Sequence, residues 1–135
     1  RLNTPPDAQI LRGGGLVVCA EDDPARRAAL EAAGAEVLCL PGPAGRVGLA
    51  ALAGELGRRG LNEIHVEAGA TLNGALLDAG LVDEWIAYLA PLALGDQARG
   101  VFALPPLTEM AGRHAFELRD CRLLGGDARL TLRPR

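Results

Sequence analysis

Residues 63–77 carry the pattern in this chain most able to do chemistry. An alternating apolar stretch around Ile64 and Val66 ends in a carboxylate, Glu67, and is followed by a glycine turn and the amino end of a helix. Gly69 and Gly74, with Ala70 between them, leave backbone room for a ligand. The first N–H groups of the helix lack intrahelical partners and carry the positive end of its dipole, so the arrangement suits an anion. Glu67, where the strand stops, is a polar group aimed at the same pocket. Read alone, Gly69-Ala70-Thr71-Leu72-Asn73-Gly74 equally describes a tight strand-to-helix connection with Thr71 as helix cap. The spacing is not G-x-G-x-x-G, and no G-K-[ST] is present, so neither a dinucleotide fingerprint nor a P-loop applies.

Other polar residues read more plainly. Asp83-Glu84 form the polar entry to a strand rather than a paired acid/base site. His65 alternates with Ile64 and Val66 and reads as a packed or surface residue, and His114 as loop or strand-edge polarity. No Ser-His-Asp order and no metal-ligand cluster can be assembled, so no metal site is expected. Cys19, Cys39 and Cys121 lie far apart without C-x-x-C spacing and read as buried structural thiols in a reducing, cytoplasmic setting.

Composition narrows the class of function. At 135 residues the chain is long enough for one domain with a single core. Hydrophobic residues make up 49% and aromatics only 3%, so Leu, Val, Ile and Ala must build that core. Too few rings remain to serve as stacking platforms for single-stranded nucleic acid. All 14 basic residues are Arg, scattered through a chain of net charge −3, which excludes a massed surface for nucleic acid or anionic membrane. No apolar run approaches the ~20 residues of a membrane span.

The elements that must position residues 63–77 follow from punctuation and period. An apolar strand over residues 15–20 leads to a helix from Asp23-Pro24 to about Ala33, with Asp23 as N-cap and Gly34 as stop. A second strand covers 36–40, a second helix runs from Leu49 to about Arg59, a third strand covers 63–67, and a third helix runs from about Thr71 to Ala79. That alternation is the signature of parallel strands joined by crossovers. A strand over 84–90, a long Gly/Pro loop to about Pro106, and a hairpin of 115–124 with 128–132 across Gly125-Gly126-Asp127 follow. The expected fold is α/β: a mixed sheet, mostly parallel, with an antiparallel C-terminal hairpin and flanking helices.

The run from Val66 through Glu84, continued by Tyr88-Leu89-Ala90-Pro91 and by Leu94-Gly95-Asp96-Gln97-Ala98-Arg99-Gly100, resembles the reductase domain of the bifunctional deaminase/reductase of riboflavin biosynthesis. Its V-E-x-G-x-T-L run, followed by G-L-V-D-E and A-P segments, separates that family from ordinary Rossmann proteins and, less cleanly, from other members of the dihydrofolate-reductase-like superfamily. The resemblance extends from Arg1 to the C-terminus and is dense over residues 61–100. It implies a dihydrofolate-reductase-like fold in which NADPH reduces the ribosyl group of 5-amino-6-(5-phosphoribosylamino)uracil to ribityl. Glu67 matches the family's substrate-contacting glutamate. Its NADPH-contacting turn matches Gly69, Ala70, Thr71, Leu72, Asn73, Gly74 and Ala75. The resemblance also implies a homodimer, with the strand over 83–91 and the C-terminal hairpin as its surface.

The resemblance further implies that residues 1–135 are the C-terminal portion of a reductase domain. The start of that domain and a zinc-dependent deaminase domain would precede Arg1. Activity then belongs to the parent enzyme, and the isolated fragment is expected to be inactive. Two alternatives stay open on the residues themselves: a paralogous dihydrofolate-reductase-like reductase of another pterin or pyrimidine, and a noncatalytic dimerising module.

Overall fold

The computed structural model describes residues 2–135. They form two compact units, the first ending at Ile64 and the second beginning at His65, and each holds its own sheet.

In the first unit, β1 (Gly15–Cys19) and β2 (Ala35–Cys39) pair in parallel, from Gly15 opposite Ala35 to Cys19 opposite Cys39. Their crossover is α1 (Pro24–Ala32), whose amino end is set as the sequence predicts: the Asp23 carboxylate accepts the Arg26 N–H at 3.1 Å, and Pro24 occupies the first turn. Gly34 then turns the chain out of the helix at φ +90°, a conformation that costs a side-chain-bearing residue more than glycine. Leu2, Leu11, Cys19, Leu30, Ala35 and Val37 close the core between helix and strands. Arg27 donates to the Val37 carbonyl at 2.7 Å and to Asp22 at 2.9 Å, tying α1 to β2. Arg59, just past α2 (Leu49–Arg58), grips Glu36 of β2 through two bonds of 2.8 and 2.6 Å. That guanidinium holds the Glu36 carboxyl below the usual carboxylate range, chiefly by hydrogen bonding.

In the second unit, β3 (Trp85–Leu89), β5 (Asp127–Pro134) and β4 (Phe116–Leu124) lie antiparallel in that spatial order, preceded by α3 (Ala70–Asp78). The hairpin is tighter than expected, because Leu124 pairs with Asp127 and leaves Gly125-Gly126 as the turn. Gly125 takes φ +61°, as a two-residue hairpin turn requires of its first residue. The register slips by one residue at Arg119, between the Leu118 and Asp120 pairings.

Helices and strands thus alternate in the predicted α/β order, with one correction. Residues 61–69 form no strand, so the third parallel strand expected over 63–67 is not made, and the parallel and antiparallel parts stand as two sheets. An extended segment becomes a strand only when a neighbour satisfies its N–H and C=O groups, and no described strand pairs with this one. Ile64 and Val66 consequently remain 48% and 46% exposed.

Candidate functional site

The predicted turn lies at the amino end of α3. Gly69 is the N-cap, with φ −81° and ψ 170°, and no side chain caps the helix. This corrects Thr71 as cap: the helix starts one residue earlier than expected, and Thr71 lies within its first turn. The first helical acceptor, the Gly69 carbonyl, takes the Asn73 N–H at 3.1 Å. The N–H groups of Ala70, Thr71 and Leu72 precede that bond and have no acceptor within the helix. Gly69, Thr71 and Leu72 are exposed, and a Cβ built on Gly69 would meet nothing within 4 Å. The end of α3 therefore presents open backbone donors at the positive pole of a 9-residue helix.

The inner side of the same turn is occupied by the protein. Gly74 is buried, and a Cβ there would come within 2.8 Å of the Ala103 carbonyl carbon. The room that Gly74 leaves is thus taken by residue 103 of the loop that follows β3. Ala103 donates its N–H to the Ala70 carbonyl at 2.9 Å, and the Asn73 amide bridges the Ala68 and Val101 carbonyls at 3.2 and 3.3 Å. Between these anchors, Phe102 meets Trp85 edge-on, with ring centroids 4.8 Å apart, and stacks with Phe116 at 6.5 Å. Trp85 and Phe116 stand on the strands flanking β5, so the sheet fixes the loop and the loop fixes the turn.

Glu67 stands two residues before Gly69 on the unpaired segment. Its side chain is 87% exposed, and its carboxylate lies 3.4 Å from His65 Nε2. His65 is itself 77% exposed. His114 approaches the Asp78 carboxylate only to 3.9 Å, at the far end of α3 from Gly69. Asp83 and Glu84 lie before β3, and Glu84 accepts from Arg133 at 3.2 Å, as a strand-entry residue would. Among the described residues no group of three or more His, Cys, Asp or Glu is arranged to hold a metal ion.

Six of the seven predicted cofactor residues divide in two, and the seventh, Ala75, lies half-buried within α3. Gly69, Ala70, Thr71 and Leu72 form the open end of the helix, whereas Asn73 and Gly74 face the supporting loop. Residues 101–103 escaped the sequence reading. Their one signal was Phe102: where rings are only 3% of the chain, an aromatic inside a Gly/Pro loop is a packing anchor.

A family model described as the RibD C-terminal domain matches residues 1–130. The chain belongs to this family. RibD domain membership is matched by individual relatives. The riboflavin biosynthesis protein RibD of Haemophilus influenzae is 49% identical over 81 residues, which make up 60% of this chain and 22% of that protein. A 5-amino-6-(5-phosphoribosylamino)uracil reductase of Buchnera aphidicola is 35% identical over 80 residues, 59% of this chain and 39% of that protein. Among solved structures, RibD of Acinetobacter baumannii superposes with a TM-score of 0.82 at 32% identity, covering all of this chain and 36% of that one. The chain thus spans between about a fifth and two-fifths of the length of these relatives. The superposition establishes the dihydrofolate-reductase-like RibD fold expected from the sequence. No described helix is long and apolar enough to cross a membrane.

Proposed function

We propose that this RibD domain is part of an NADPH-dependent reductase that converts the ribosyl group of 5-amino-6-(5-phosphoribosylamino)uracil to ribityl. The observation that carries this reading is the uncapped, exposed amino end of α3 within a chain of the RibD family. The name of the Buchnera aphidicola relative supports the substrate class.

On this reading Gly69 to Ala75 form the cofactor turn. The N–H groups of Ala70, Thr71 and Leu72 donate to a cofactor phosphate, and Gly69 lets the phosphate reach them because no Cβ stands in the way. Asn73 and Gly74 hold these donors in place through residues 101–103, and Ala75 continues the helix behind them. Glu67, acceptor-only when ionised, takes hydrogen bonds from the sugar hydroxyls of the substrate and so sets its orientation. The nicotinamide, when bound, supplies the hydride; the chain contributes position. The assembly we infer is a homodimer, supported by the exposed Tyr88 and Leu89 on β3 and Leu118 and Leu123 on β4. Sedimentation of the complete protein as a monomer alone would overturn it.

The test of the activity follows NADPH consumption by the complete protein that contains this domain. The deaminated phosphoribosylaminouracil is the substrate and dihydrofolate the comparison. Turnover with the former is expected. Turnover with dihydrofolate alone would sink the proposal in favour of a paralogous reductase, and turnover with neither, in a folded protein, would favour a noncatalytic module.

A further inference from the structure

Cys19 and Cys39, twenty positions apart in sequence, end β1 and β2 and are opposite one another in the parallel register. Adjacent strands lie about 4.7–4.9 Å apart, inside the Cα separation of about 4.4–6.8 Å that a disulfide spans. Register partners in a parallel pair point to the same face, and both thiols pack in the core with Leu30 and Val37. The Cys39 thiol donates to the Ala20 carbonyl at 3.5 Å.

We propose that Cys19 and Cys39 are a reversible modification site, a dithiol that closes to an intramolecular disulfide with hydrogen peroxide as the oxidant. Access sets the order of events. Cys19 is 1% exposed, whereas Cys39 is half-buried and is the sulfur that peroxide reaches. The Cys39 thiolate attacks one peroxide oxygen: an S–O bond forms, the O–O bond breaks, and the departing hydroxide is protonated to water. Cys19 then gives up its proton and attacks the Cys39 sulfur. The S–S bond forms, the S–O bond breaks, and the second water leaves with that proton. Two thiols and one peroxide become one disulfide and two waters. Burial pushes the Cys19 thiol up, followed by the influence of the neighbouring Cys39, so Cys19 stays protonated and inert until Cys39 is oxidised.

Cys121 lies exposed on β4 opposite Leu130, with no cysteine in register, and is removed as Cys121→Ser to leave the pair alone. The Cys121→Ser chain is treated with hydrogen peroxide while folded, then denatured, alkylated and digested with trypsin. Expected is a species joining tryptic residues 13–26 to 28–46, lighter than their sum by two hydrogen atoms, with free thiols falling from two to none and returning to two with dithiothreitol. Cys39→Ser in the same background leaves Cys19 alkylatable at that peroxide dose. Sulfinic acid on Cys39 with Cys19 still free would overturn the proposal, as would a link between chains instead of within one.

Discussion

Gly74→Ala separates packing from helix propensity. On an isolated helix this substitution stabilises, because alanine surpasses glycine by about 0.8–1 kcal/mol. In this fold the new methyl group would lie within 2.8 Å of the Ala103 carbonyl carbon, a backbone atom that cannot rotate away. Overpacking of that kind costs about 1–3 kcal/mol. Displacing residue 103 also removes its 2.9 Å bond to the Ala70 carbonyl, worth about 1 kcal/mol. Set against the helix gain, the net effect is a loss of about 1–3 kcal/mol. Gly54→Ala is the control: it lies inside α2, where a Cβ meets nothing within 4 Å, and should gain about 0.4–1 kcal/mol. Urea denaturation of the two variants should therefore shift midpoints in opposite directions. Equal stabilisation by both would refute the role assigned to residues 101–103. The amide proton of Ala103 gives a local readout, since its exchange should accelerate in Gly74→Ala and not in Gly54→Ala.

Gly69→Val replaces a favoured N-cap residue with a poor one and should cost about 0.5–1 kcal/mol, since φ is −81° and the space is open, yet should abolish tight NADPH binding measured by calorimetry. In the complete protein Glu67→Gln should raise KM for the sugar substrate with little change in NADPH affinity; equal losses of both would count against the division of roles. Asp23→Ala removes the carboxylate that caps α1 and should cost about 0.5–2 kcal/mol in denaturant titration. The Glu36 pKa is depressed in the folded state, so the stability it contributes is present above its unfolded pKa and is lost as pH falls through the folded value. Glu36→Gln should accordingly lose stability at neutral pH and flatten the acid limb below about pH 4, with the two chains converging once Glu36 is protonated.

The signals that survived into the structure are those whose physics is local. Asp23 and Pro24 start α1, Gly34 ends it, and paired glycines turn the C-terminal hairpin, because capping and positive φ act within a few residues. The open amino end of α3 was legible for the same reason: a glycine N-cap offers no side chain to the first N–H groups. The expected strand over 63–67 failed because its apolar alternation describes a segment able to pair, whereas pairing depends on a neighbour from elsewhere in the chain. Gly74 was legible as a position needing space; what fills that space was not.

By itself, the sequence determined the order of helices and strands apart from the strand expected over 63–67, the start and stop of α1, the hairpin turn, the scarcity of rings that makes each one an anchor, and the family-like run around Glu67. Tertiary structure alone decided three matters. Residues 101–103 pack against Gly74 and Asn73, Phe102 joins Trp85 and Phe116, and Cys19 comes into register with Cys39. Each joins residues fourteen or more positions apart, where no local propensity acts and the outcome rests on which sheet edges and ring faces meet.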